Sequence, residues 1–118
     1  MAKFNPTDHL MKLKGKDYLP VAWRLVWFRE QYPNGIIDTE PLQLTDTYAV
    51  FRATVTAVDG EGNVLGRASG TKSQSKQGFA DYVEKCETGA IGRALAGLGF
   101  GTQFEPDFDE GERLAVDS

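Results

Sequence analysis

From Thr47 to Val58 the side chains alternate, with Ala49, Phe51, Ala53, Val55 and Ala57 on one face and Tyr48, Arg52, Thr54 and Thr56 on the other. A period of two held over that length demands an extended strand with one face buried and one face wet, because successive Cβ atoms of a strand point to opposite sides. Asp59-Gly60-Glu61-Gly62-Asn63 follows at once, a glycine-rich connection of hairpin length. The return strand, Val64 to Ser73, places Arg67, Ser69 and Thr71 on one side and Gly66, Ala68 and Gly70 on the other. The rest of the chain must pack around this hairpin.

The flanking segments supply what packs. Pro20 suits the first turn of a helix, where its missing N–H is not needed, and Asp17 just ahead is a candidate cap. Val21, Leu25, Phe28 and Tyr32 share one helical stripe with Ala22 and Val26 beside it, while Arg24, Arg29 and Glu30 hold polar positions. Pro33-Asn34-Gly35 stops that helix. Ile36 to Leu44 predicts another strand, in which Pro41 marks an edge or a bulge. The polar run from Thr71 to Gly78 predicts a loop. Phe79 to Leu98 predicts an amphipathic helix, with Phe79, Val83, Cys86, Ala90, Ala94 and Leu98 in line and glycines at 97, 99 and 101 to end it. The expected fold is α+β: a helix, a three-stranded antiparallel β-meander and a long helix (a β-β-β-α core), followed by a disordered acidic C-terminal tail. Residues 1–16 are expected to form a basic flexible arm, 17–103 the core domain and 104–118 the tail.

A chain of 118 residues has room for one domain. Its single cysteine, Cys86, allows no intrachain disulfide and fits a reducing compartment. There is no apolar run of membrane-spanning length, and the start MAKFNPTDHLMKLKGK lacks the apolar stretch of a secretory signal, so a cytoplasmic protein with no membrane partner is expected. The net charge of −4 is unevenly placed. The tail holds six acids, Glu105, Asp107, Asp109, Glu110, Glu112 and Asp117, against Arg113, which leaves the body near neutrality with twelve bases and eleven acids. Lys3, Lys12, Lys14 and Lys16 make the arm basic, opposed by Asp8 alone.

No set of side chains forms a catalytic constellation, and neither enzyme activity nor a metal or other cofactor is expected. The one histidine, His9, lies in the arm, away from any partner for a triad or a zinc site. Cys86 falls on the apolar stripe of its helix and reads as a core residue. Asp81, Glu84 and Glu87 read as a solvated helix face. Gly66-Arg67-Ala68-Ser69-Gly70-Thr71-Lys72-Ser73 has the wrong glycine spacing for a phosphate-binding loop and no helix directly behind it. Gly97-Leu98-Gly99-Phe100-Gly101 follows a helix, where a dinucleotide fingerprint follows a strand. A donor-rich zone remains. Arg52 and Arg67 are expected to meet across the hairpin. Lys72 and Lys76 lie among Thr71, Ser73, Gln74, Ser75 and Gln77, with no acid between Glu61 and Asp81. Such a run offers donors to a phosphodiester backbone and nothing to repel it. Trp23 and Trp27 read as core or interface residues before base-stacking ones.

The string Asp81-Tyr82-Val83-Glu84-Lys85-Cys86-Glu87-Thr88-Gly89-Ala90-Ile91-Gly92-Arg93-Ala94-Leu95-Ala96-Gly97-Leu98-Gly99 resembles a helix of the single-strand-annealing proteins of the Rad fifty-two and phage Erf type, with Thr88, Arg93, Ala94 and Leu95 matching. The order of elements upstream is similar, and the resemblance covers roughly residues 18–101. It implies single-stranded DNA as the partner, bound and annealed in recombination or repair through backbone contacts in the groove of a homo-oligomeric ring or filament. By that resemblance Arg93 is the groove arginine, Gly92 stands where a basic residue is usual, and Arg24 falls near an arginine of the first helix. The expected nucleic-acid-binding residues are Arg24, Arg52, Arg67, Lys72, Lys76, Lys85 and Arg93. The competing expectation is a non-catalytic adaptor that captures a protein partner through its acidic, phenylalanine-bearing tail.

Overall fold

A computed structural model of the chain describes residues 4–13, 15–78 and 80–100. In chain order these form a 3-10 turn at Pro6–His9, strands β1 (Met11–Leu13) and β2 (Lys16–Tyr18), helix α1 (Val21–Gln31), strands β3 (Ile36–Leu44), β4 (Tyr48–Val58) and β5 (Val64–Ser75), and helix α2 (Tyr82–Gly97). The sheet β3-β4-β5 is an antiparallel meander between the two helices, the α+β order that the sequence predicts. The acidic tail from residue 104, Lys3 and Lys14 of the arm, and Phe79 at the expected helix start lie outside the described residues.

The core follows from the alternation of β4. Ala49, Phe51, Ala53, Val55 and Ala57 are buried together with Val21 and Phe28 of α1 and Tyr82, Cys86, Ala90, Ala94 and Leu95 of α2. Removing an aromatic side chain such as Phe28 from water contributes roughly 2–3 kcal/mol. Helix α2 approaches β5 closely because both present small residues. A Cβ at Gly70 would stand 2.6 Å from the backbone nitrogen of Ala94 and 2.7 Å from the carbonyl oxygen of Ala90, so no larger residue fits there. Cys86 is buried on the helix stripe as expected, and its thiol donates to the carbonyl oxygens of Lys72 and Ala49 at 3.1 and 3.5 Å.

Three expectations need correction. Residues 11–18 are a short antiparallel hairpin, Met11 opposite Tyr18, whose turn contains Gly15 at φ +80. The segment before it docks on α1: the Phe4 amide donates to both carboxylate oxygens of Glu30 at 2.7 and 2.8 Å, and the His9 ring stacks 3.7 Å from Trp23. Asp17 does not cap α1. It pairs with Lys12 at 2.6 Å inside the hairpin, and Pro20 occupies the cap position without a side-chain bond. Finally, β5 runs on to Ser75, two residues past the expected strand end at Ser73, so Gln74 and Ser75 are strand where only a loop is predicted. The bulge at Pro41 is as expected: the register of β3 on β4 shifts between Pro41 and Gln43.

Candidate nucleic-acid interface

The face of the sheet turned away from the core carries no helix of the described chain, and its side chains form a grid fixed by register. Arg52 lies opposite Glu40 on one side and Thr71 on the other; Thr54 lies opposite Asp38 and Ser69; Thr56 lies opposite Ile36 and Arg67. Val50 and Tyr48 continue the β4 row against Ser73 and Ser75. Along β5 the outward positions are therefore Arg67, Ser69, Thr71, Ser73 and Ser75, a run without a carboxylate. The inward positions, Gly70 and Lys72, are buried. The carboxylates of this face, Asp38 and Glu40, sit on β3 at its far side.

The outward groups are partly tied to one another. The Thr54 and Ser69 hydroxyls share a hydrogen bond of 3.1 Å, and Arg67 Nε donates to the Thr56 hydroxyl at 3.2 Å. Arg52 faces Glu40 at 3.4 Å, with both side chains about half exposed. Strand rise is about 3.4 Å per residue, so the rows of Arg52 and Arg67, four β4 residues apart, are separated by roughly 14 Å. The two arginines share the face but do not meet across the hairpin, because Thr54 and its row intervene. Hydroxyls that both donate and accept, spaced two residues apart and flanked by guanidinium groups, suit a ligand that offers phosphate oxygens and sugar hydroxyls in a regular array.

The structure separates the other cations expected to bind. Lys76 is exposed just past the end of β5, where its amide donates to the Thr47 carbonyl at 2.8 Å. Arg93 is exposed on α2 and donates at 2.7 Å to the Thr71 carbonyl, so it reaches the backbone of β5 from the helix side. Lys85 is ion-paired with Asp81 at 3.5 Å and largely covered. Arg24 and Lys72 are 5 % and 4 % exposed. Arg24 Nε donates to the Leu19 carbonyl at 2.7 Å, and its guanidinium lies 5.3 Å from the Tyr18 ring centroid, so it ties the β2–α1 junction together. Lys72 runs its stem across Gly89 of α2. Neither side chain has surface to offer a polymer. Sequence reasoning left Glu40 out, and treated the hydroxyls of β4 and β5 as two unconnected sets; their shared period of two was the available signal.

A family model described as Slr1353 N-terminal dsRNA-binding domain-like matches residues 25–98. No curated protein and no solved structure matches the chain. The family match overturns the resemblance to the single-strand-annealing proteins. Packing accounts for the string that carried that resemblance: Ala94 and Leu95 are fully buried, Gly92 lies against Val21, and Gly97 lies against Ala68. A helix laid closely on a sheet of small residues calls for such a string whatever its family. No helix of the described residues is long and apolar enough to cross a membrane.

Proposed function

The chain belongs to the Slr1353 N-terminal dsRNA-binding domain-like family, and on that premise we propose that it is a non-catalytic nucleic-acid-binding module that holds double-stranded RNA on the outer face of β4 and β5. The observation that carries the reading is the unbroken outward run Arg67, Ser69, Thr71, Ser73 and Ser75 beside Arg52 and Thr54, with Thr56 of the same row buried beneath Arg67 as its hydrogen-bond acceptor. Duplex RNA is recognised by shape, with contacts to phosphates and 2′-hydroxyls, since its narrow major groove hides the bases. Hydroxyl side chains answer both groups. The aromatic residue on this face is Tyr48 at its end, so the face does not offer the row of rings on which the bases of a single strand stack. Few cations take part, so binding depends only shallowly on salt, with a log–log slope of about −2 to −3 for two or three phosphate contacts.

The test is binding of a labelled RNA duplex of about 20 base pairs, longer than the roughly 16 spanned by a dsRNA-binding domain, beside the same-sequence DNA duplex and each single strand. Duplex RNA is expected to bind tightest. The triple variant S69A/T71A/S73A is expected to lose about tenfold or more, since each hydrogen bond contributes about 1 kcal/mol, with the salt slope unchanged. R67Q is expected to flatten the slope by about one. Single-stranded DNA bound as tightly as duplex RNA, or a triple variant with full affinity, would refute the proposal.

A further inference from the structure

Glu40 and Arg52 form the one ion pair on the candidate face among the described residues, and they stand directly opposite each other in the β3–β4 register. On its other side Arg52 is opposite Thr71, in the hydroxyl run. Arg52 thus occupies the middle of its row, between a carboxylate and the surface read above as the RNA site. The bond to Glu40 draws the guanidinium toward β3, away from that run. Asp38, one row along, adds a second negative charge on the same border.

We propose that Glu40 is an internal competitor for phosphate, a specificity-determining residue that occupies Arg52 and so weakens charge-driven binding of any polyanion while leaving the hydroxyl contacts of β5 untouched. The proposal rests on the reading of the β4–β5 face as the RNA site. Phosphate attraction is independent of sequence and of sugar, whereas hydroxyl contacts depend on the groove that the ligand presents. Holding one of the two arginines of the face in check leaves a larger share of the binding energy to the contacts that discriminate. The β3 carboxylates also fence one side of the face, so a phosphate backbone lies along β5 rather than across the sheet.

The experiment compares wild type, E40Q, R52Q, E40Q/R52Q and R67Q for binding to the RNA duplex between about 50 and 200 mM salt. Glu40 is more than half exposed on an edge strand, so E40Q leaves the core intact. An exposed pair of this kind is weak, and its release is expected to tighten binding about two- to fivefold at low salt. The slope should steepen by about one as Arg52 takes a phosphate. R52Q alone should change little, and E40Q should add no slope in the R52Q background. E40Q with wild-type affinity and slope overturns the proposal, as does a gain that persists in full without Arg52. If R67Q weakens binding while E40Q is silent, the competitor role alone fails; if R67Q is silent as well, the face itself fails.

Discussion

Gly70 of β5 sits so close to Ala94 of α2 that a Cβ at position 70 would stand 2.6 Å from the Ala94 amide nitrogen. The obstacle is backbone on both sides, since the Ala90 carbonyl oxygen lies at 2.7 Å, so the helix itself must lift. G70A is expected to destabilise the domain by about 2–3 kcal/mol, at the upper end of overpacking costs. Gly89 is crowded too, but by a side chain: a Cβ there meets Lys72 Cδ at 2.9 Å and Cε at 3.0 Å. A lysine stem moves more easily than a helix, and alanine gains roughly 1 kcal/mol of helix propensity over glycine. G89A is therefore expected to cost much less than G70A. Urea denaturation of both variants checks the order, and equal losses would contradict it.

Arg24 is expected to behave as a structural residue. Methionine at this position keeps the length of the stem but leaves the buried Leu19 carbonyl without its donor, which costs about 1–3 kcal/mol. R24K fails similarly, because an ammonium cannot reproduce the flat guanidinium over Tyr18 while bonding Leu19. Melting temperature should fall for both variants, and RNA affinity of the folded fraction should not. A loss of affinity with unchanged stability would return Arg24 to the binding surface.

These two sites mark where the sequence was legible. The strict alternation of β4 and the glycine-rich hairpin specified the meander, and the apolar stripe of α2 specified which helix face meets it. Arg24 falls beside an apolar stripe on α1, and helical periodicity alone assigns a charged residue there to solvent. Its contacts include Tyr18, the last residue of a hairpin whose three-residue strands are too short to show a period, and Leu19 just after it. The polar run from Thr71 reads as a loop that overlaps a strand expected to end at Ser73, because every residue from Thr71 to Ser75 is polar. The segment is an edge strand with hydroxyls facing out, and Lys72 turns inward at a site that exists only because Gly89 lacks a side chain. Contacts between different elements of the fold decided both cases, and the periodicity within one element does not carry them.

The last prediction concerns the hairpin that joins β4 to β5. The Asp59 carboxylate accepts the backbone N–H groups of Asn63 and Glu61, each at 2.8 Å, and the Asn63 side-chain amide at 3.1 Å. These bonds favour the charged form and hold its pKa below the ordinary carboxylate value, the Asn63 N–H contributing most and Glu61 next. A group whose folded pKa is depressed stabilises the fold above its unfolded pKa, and that stability is lost as pH falls through the folded value. The wild-type melting temperature should therefore drop between about pH 5 and pH 2 with a component that D59A lacks. Asn34 also donates to the Asp59 carbonyl at 3.2 Å, so loosening this turn disturbs the link from the end of α1 to the sheet. The turn sets the register of Thr56 against Arg67, the first row of the candidate face, so D59A should also weaken RNA binding modestly at neutral pH. Parallel melting curves for the two proteins across the acid range would show that the carboxylate contributes nothing to the hairpin.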